Sequence, residues 1–169
     1  MANLTLDAAP HERSGAPPAW DNVLYDSPAL GYVRATHQAI RRQPGGATVL
    51  TYYWALCDEE PAVARHRLLT TPWAVWAETI LAELAKPHPD IRERVQTLDL
   101  VRWGHAMSIP YPGWMVGEAR RVFHVPWGRV HFAHSDLSGL SLFEEAQHWG
   151  IKAAEGVLGT AGLAVEPLG

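Results

Sequence analysis

Alternating apolar and polar positions predict strands in the first part of the chain. The segment 2–6 (ANLTL) alternates strictly, and segments 30–38 (LGYVRATHQ) and 47–56 (ATVLTYYWAL) are rich in β-branched and aromatic residues. A Pro- and Gly-rich loop is expected over 7–20, and a Gln-Pro-Gly-Gly turn at 43–46. This turn between two strand-like segments predicts an antiparallel hairpin.

After residue 60, the apolar residues have the spacing of helices rather than strands. A short helix is predicted over 61–69, with Pro61 in its first turn. A longer helix is predicted to run to about Ala85, with Thr71 as N-cap and Pro72 as its first residue. Its apolar face is formed by Trp73, Trp76, Ile80 and Leu84.

The remaining elements alternate between helix and strand. A short helix capped by Asp90 is expected over 90–95, followed by strands at 97–103 and 129–134. A final helix is expected over 142–158, where Ser141 and Glu144 have the spacing of a capping box. Antiparallel strands with separate helices favour an α+β fold, in which the last strand–turn–helix has an α/β character.

The composition narrows the function classes. Hydrophobic residues make up 47% and charged residues 19%, as in globular proteins. The net charge of −4 argues against nucleic acid as a partner, and no apolar run is long enough to cross a membrane. The first residues lack the basic and apolar regions of a secretory signal, and the single Cys57 fits a reducing compartment. A cytoplasmic location is therefore expected.

Nine histidines raise the question of a metal site. Glu145 and His148 are spaced to share one ion on a helix, but a carboxylate-bridged site needs a second such pair. His131 and His134 would point to opposite faces of a strand. No metal site is predicted, and the absence of a G-x-S-x-G motif leaves hydrolase chemistry without support.

The segment 128–158 carries the strongest functional signal. It passes from a predicted strand through a polar, glycine-containing turn into a helix. A helix start placed just beyond a strand presents unpaired N–H groups and a partial positive charge. Such a terminus is a natural seat for an anion or an electron-rich carbonyl.

This segment resembles the C-terminal part of the FAD-dependent amine oxidase superfamily, which includes phytoene-desaturase-like enzymes. The family's closing motif is a strand ending in F-A-G-x-[DE], a loop, and a helix with Gly and Ala-Ala. Here it reads Phe132-Ala133-His134-Ser135-Asp136, then Ser138-Gly139, then Phe143-Glu144-Glu145-Ala146, Gly150 and Ala153-Ala154. Arg102-Trp103 with Pro110-Tyr111-Pro112-Gly113 is similar to a second family segment near flavin and substrate.

The resemblance implies a set of cofactor-binding residues. Ribityl and pyrophosphate contacts would fall on the strand end, the helix start would lie under the isoalloxazine, and Trp103 would stand beside the flavin, although core packing explains Trp103 equally well. The complete implied set is Trp103, Ala133, His134, Ser135, Asp136, Leu142 and Phe143. The cofactor that the resemblance implies is FAD. No catalytic residue is assigned, because Lys86 and Lys152 lie in contexts unlike that of the family's lysine near N5.

Two departures from the family shape the prediction. His134 stands where the family has Gly, which permits close approach of the backbone to the cofactor. The G-x-G-x-x-G motif that holds the ADP part of FAD is absent. A second polypeptide would then supply that half, or the chain is a piece of a longer protein. Either case predicts assembly, with such a partner or by self-association.

The predicted organisation is therefore a substrate-binding-like lobe over 1–103 and the C-terminal part of an FAD-binding-like domain over 104–169. The predicted function is a component of an amine-oxidase-like flavoprotein oxidoreductase. Its substrate would be a small apolar or aromatic molecule, for which Tyr52, Tyr53 and Trp54 are candidate contacts. The alternative is a non-catalytic assembly or binding subunit that kept the fold and lost FAD.

Overall fold

The computed structural model describes residues 1–11, 19–35, 46–109 and 111–164. The chain divides into two compact units, Met1–Gly104 and His105–Gly169. Parts of several predicted features lie outside the described residues. These parts are residues 12–18 of the 7–20 loop, the end of the 30–38 strand, residues 43–45 of the turn and Pro110.

The first unit is built on a five-stranded antiparallel sheet. Its strands occur in the order β2-β3-β4-β1-β5, so the first strand of the chain lies between the two strands most distant from it in sequence. Their bounds are β1 Ala2–Leu6, β2 Asp21–Val23, β3 Gly31–Arg34, β4 Thr48–Tyr53 and β5 Val95–Leu100. The predicted hairpin pairing of β3 with β4 is confirmed.

Alternation along β1 explains where the core lies. Ala2, Leu4 and Leu6 are fully buried, while Asn3 and Thr5 between them are only partly buried. Leu4 lies opposite Leu50 on one neighbouring strand and opposite Leu98 on the other. One apolar row thus crosses the middle of the sheet, as expected for a strand with period two.

Three helices accompany this sheet: α1 Pro61–Thr70, α2 Trp73–Leu84 and α3 Ile91–Arg94. The Glu60 carboxylate caps α1 by accepting the backbone N–H groups of Ala62 and Val63. The prediction that Thr71 caps α2 is wrong. Thr71 instead ends α1, where its N–H donates to the carbonyl of Arg67, and Pro72 takes the N-cap position of α2.

The apolar face of α2 contributes to the core through Ile80 and Leu84, with Trp76 also buried. Trp73, expected on the same face, is 51% exposed because it stands in the first turn, before the helix meets the core residues. Ile91 of α3 is fully buried in the same core cluster. Asp90 occupies the N-cap of α3 without capping it, since its carboxylate accepts the His11 N–H and pairs with Arg94.

A buried histidine fixes the segment after β1. His88 is fully buried, and its Nε2 accepts the hydroxyl of Tyr32 on β3 at 2.6 Å. Its Nδ1–H donates to the carbonyl of His11 at 3.0 Å. Both ring nitrogens are therefore satisfied, which is the condition for burying a polar side chain without loss of stability.

The second unit contains helices α4 Glu118–Phe123 and α5 Phe143–Thr160, with 3₁₀ turns at Trp114–Val116 and Ser135–Leu137. The final helix is confirmed, but the strand predicted at 129–134 is wrong. Only an isolated bridge between Trp127 and Val130 forms there. A strand requires a continuous hydrogen-bonded neighbour, and the described part of this unit offers the segment nothing beyond that single bridge.

Burial is scarce in the second unit. Among its described residues, Leu137, Ser138 and Gly139 are buried, and α5 buries none along its 18 residues. The chain is thus an α+β protein with one well-formed core, in its first unit. Among the described residues, no helix is long and apolar enough to cross a membrane.

Candidate functional site

Six of the seven sequence-predicted cofactor residues lie in one continuous segment of the second unit. His134 is the N-cap of the Ser135–Leu137 3₁₀ turn, which includes Asp136. Leu142 is the N-cap of α5, and Phe143 is its first residue. Ala133 precedes this turn in an exposed, irregular stretch. Trp103 belongs to the first unit, where it follows β5 and is 57% exposed.

The interior of the turn is held by side-chain contacts that the sequence did not predict. The Ser138 hydroxyl donates to the Glu145 carboxylate and accepts the indole N–H of Trp149 at 2.6 Å. Gly139 has a φ of +71°, and a Cβ on it would fall well inside the contact distance of Nε1 of Trp114. A side chain at position 139 would therefore displace the Trp114 indole. The glycine at 139 is the residue in the sequence that indicates this close contact.

His134 alters the end of the segment where the family has Gly. Its Nδ1 accepts the backbone N–H of Asp136 at 3.1 Å and lies 3.2 Å from the Asp136 carboxylate. The imidazole thus takes up one N–H group that a glycine would leave for a ligand. Both side chains remain more than half exposed, so the Asp136 carboxylate keeps access to an external donor.

The start of α5 is open. The Leu142 side chain cannot accept a hydrogen bond, and no other side chain accepts one from the first N–H groups of the helix. The predicted capping box does not form, since Ser141 precedes the N-cap and its Oγ lies 3.4 Å from Oγ of Ser108. The first N–H groups of this 18-residue helix are therefore left without a side-chain acceptor, although Glu144 and Glu145 stand in its first turn.

Apolar side chains flank this open terminus. Leu142 is 54% exposed and Phe143 is 77% exposed. Backbone N–H donors beside apolar side chains can bind the electron-rich edge of a flat ring. The exposed carboxylate of Asp136 can accept hydrogen bonds from hydroxyl groups. In chemical type these residues match the contacts that the resemblance implies for the flavin and ribityl parts of FAD, and the His134 imidazole reduces the number of free backbone donors.

The aromatic candidates of the first unit have structural roles. Burial raises the pKa of the Tyr52 hydroxyl to about 12, and Tyr52 is part of the core cluster. Trp54 meets Trp76 edge to face at 5.6 Å, and the Arg67 guanidinium lies within 6 Å of both rings. The cavity beside them measures about 30 Å³, room for one or two water molecules. The Tyr53 hydroxyl donates to Asp21 at 2.7 Å, which raises the pKa of Tyr53.

The histidine and carboxylate pair on α5 is engaged elsewhere. Glu145 binds Ser138, and the His148 ring meets Trp149 edge to face at 5.3 Å. Within the described ranges, no group of three or more His, Cys, Asp or Glu side chains is placed to hold a metal ion.

Comparisons with known proteins found no matching family model, no similar curated protein and no similar solved structure. The geometry of the 133–143 segment, together with the resemblance carried by its sequence, is thus the basis for any functional inference.

Proposed function

We propose that the chain is one component of an FAD-dependent oxidoreductase resembling amine oxidases, completed by a second polypeptide that carries the dinucleotide-binding half. The observation that carries the proposal is α5, an 18-residue helix with no buried residue and no side-chain cap at its start. An amphipathic helix gains most of its stability from packing its apolar face. A further layer of protein is therefore needed against it.

The position of the open terminus supports a flavin as ligand. It follows the segment that resembles the family's closing motif, and its exposed residues are the ones that the resemblance assigns to the isoalloxazine. When bound, FAD supplies the acceptor for a hydride removed from a carbon next to an amine or another activating group.

The residues of this chain would act by binding and electrostatics. The first N–H groups of α5 and its dipole stabilise negative charge at the flavin edge that carries N1 and C2=O. Leu142 and Phe143 exclude water from that edge. The Asp136 carboxylate accepts hydrogen bonds from ribityl hydroxyls. The first unit, with its antiparallel sheet, would serve as the lobe that binds a small apolar or aromatic substrate.

The decisive experiment is co-expression with a chain bearing G-x-G-x-x-G, taken from the adjacent reading frame. We expect a complex that purifies with the yellow absorbance of flavin at about 450 nm. Phe143→Asp should abolish flavin retention, because a carboxylate would desolvate poorly and repel the electron-rich edge. Val63→Asp, at a residue of α1 that is also more than half exposed, is the matched control and should leave the absorbance unchanged. A stable complex without bound flavin would refute the cofactor assignment.

A second candidate function is a non-catalytic assembly subunit that kept the fold and lost FAD. The observation in its favour is the occupation of the Asp136 N–H by the His134 imidazole. His134→Gly separates the two functions. If the chain binds flavin already, this variant retains or tightens binding. If the wild-type complex is colourless and the variant complex acquires flavin, the histidine marks a lost site.

A further inference from the structure

The second unit contains an open cavity of about 100 Å³ along the middle of α5. It is distinct from the open start of the helix, because its α5 residues run from Trp149 to Gly156. Its walls combine three aromatic side chains with three that can carry positive charge. These are Phe123, Phe132 and Trp149, and His124, His131 and Lys152.

One wall of the cavity is held firmly. The His124 ring lies 4.3 Å from the Trp149 ring, and its Nε2–H donates to the Leu137 carbonyl at 3.1 Å. The same carbonyl accepts Nε–H of Arg120 at 3.0 Å. Trp149 is fixed in turn by its bond to Ser138. The aromatic and imidazole faces are thus in place before any ligand arrives, which reduces the entropy lost on binding.

Small residues on α5 keep the cavity open. Ala153 and Gly156 line it on the helix side. A Cβ on Gly156 would stand 3.2 Å from Nδ1 of His131 and 3.3 Å from its Cε1, tighter than an ordinary van der Waals contact. The missing side chain at 156 is therefore what allows the His131 ring to lie against the helix.

The lining of the cavity contains a cationic lysine, two histidines whose rings can form hydrogen bonds, and no carboxylate. Lys152 pairs with Glu155 at 3.0 Å, but the Lys152 side chain is 55% exposed and its ammonium has further donors to offer. Positive groups beside aromatic walls suit an anion with an apolar body rather than a bare inorganic ion.

We propose that this cavity is a binding site for a small organic monocarboxylate, whose carboxylate pairs with Lys152 and His131 while its carbon skeleton contacts Phe123, Phe132 and Trp149. The volume of about 100 Å³ suits a short aliphatic chain. An engineered apolar cavity of roughly 150 Å³ already admits benzene. The proposal does not depend on the flavin assignment, because it uses neither the start of α5 nor a partner chain.

The test is a titration of the full chain with propionate, followed by NMR through the Trp149 indole and Gly156 amide signals. We expect saturable shifts at millimolar propionate and none with propionamide, which has the same shape without the charge. Lys152→Gln should weaken binding by roughly tenfold, the size expected for one lost charged hydrogen bond. Lys86→Gln is the matched control, since Lys86 also pairs with a glutamate three residues away on its chain.

A second pair of variants tests the shape of the cavity. Gly156→Ala and Gly159→Ala both replace a glycine within α5, but a Cβ at 159 meets nothing within 4 Å. Gly156→Ala should weaken propionate binding, and Gly159→Ala should leave it unchanged. The proposal is overturned if propionate causes no saturable shift, if propionamide or inorganic phosphate binds as well as propionate, or if Lys152→Gln binds propionate like the wild type.

Discussion

The two units use apolar residues in opposite ways. In the first unit, β1 buries every second side chain completely, and residues from β4, α2 and α3 close over the same cluster. In the second unit, the longest helix of the described chain buries none of its apolar residues fully, and Val157 is 49% exposed. Regular apolar spacing therefore forms a core only where a second layer is present to receive it.

The largest expected difference comes from matched truncations in the two units. Leu4→Ala should lower the free energy of unfolding by about 3 kcal/mol, because it opens a cavity in the middle of the sheet. Leu142→Ala, at a residue that is 54% exposed, should change it by less than about 0.5 kcal/mol. Urea denaturation followed by circular dichroism measures both. Equal losses would show that α5 is packed as tightly as the sheet.

A smaller effect is expected where the second unit does pack. Gly139→Ala places a methyl group against the Trp114 indole, whereas Gly128→Ala, also at a positive φ, meets nothing within 4 Å. Both variants carry the strain of the left-handed region, so their difference isolates the clash. Amide hydrogen exchange at Ser138 and at position 139 should be roughly tenfold faster in Gly139→Ala than in the wild type. Identical exchange would mean that the Trp114 contact does not hold the turn.

Removing one hydroxyl from the first unit should have a modest cost. Tyr32→Phe leaves the Nε2 of the buried His88 without its donor, and we expect a loss of about 1 kcal/mol in unfolding free energy. Tyr53→Phe removes a hydroxyl that bonds Asp21 at the surface, and should cost less than about 0.5 kcal/mol. Thermal unfolding of both variants and of the wild type measures these two losses of stability. A larger loss for Tyr53→Phe would contradict the assigned role of His88.

The smallest effect concerns the pH dependence of the first unit. Burial by itself raises the pKa of Asp90, but hydrogen bonds from Arg94 and from the His11 N–H outweigh it and leave the pKa below its ordinary value of 3.8. The ionised carboxylate thus adds stability above that value, and the contribution disappears as the pH falls through the lower pKa of the folded state. In Asp90→Asn, the free energy of unfolding should therefore fall less steeply at acid pH than in the wild type, as measured by urea denaturation at a series of pH values.

The control for this measurement is Asp99→Asn, at an exposed position on β5. It removes one carboxylate without touching the contacts of His11 and Arg94. An acid limb that is equally steep in Asp90→Asn and in the wild type would refute the role assigned to Asp90.

The sequence predicted elements well where local periodicity decides them. β1, α1 and α5 appear within a few residues of their expected positions, because alternation and helical spacing are properties of neighbouring residues. The strand expected at 129–134 failed for the opposite reason, since a strand depends on a partner that its own residues do not encode. Thr71 failed as a cap because Pro72 shifted the helix boundary by one residue.

The candidate site was predictable as a segment but not as a packed turn. Residues 133–143 lie near one another because they follow one another in the chain. The uncapped start of α5 was not predicted, since Ser141 and Glu144 indicated a capping box that does not form. Trp114, Glu145 and Trp149 reach the turn from other parts of the unit, and no sequence pattern predicted these three contacts. The left-handed Gly139 was the one local hint of this packing.

The position of β1 in the sheet has a consequence for synthesis on the ribosome. Residues 2–6 leave the exit tunnel before the rest of the sheet, yet their two neighbours in it are residues 48–53 and 95–100. β1 therefore has no partner until residues 48–53 have been made, and one of its edges stays unpaired until residues 95–100 follow. Contacts this distant in sequence make folding slow. We therefore expect chaperones that bind short apolar segments of nascent chains to bind this strand.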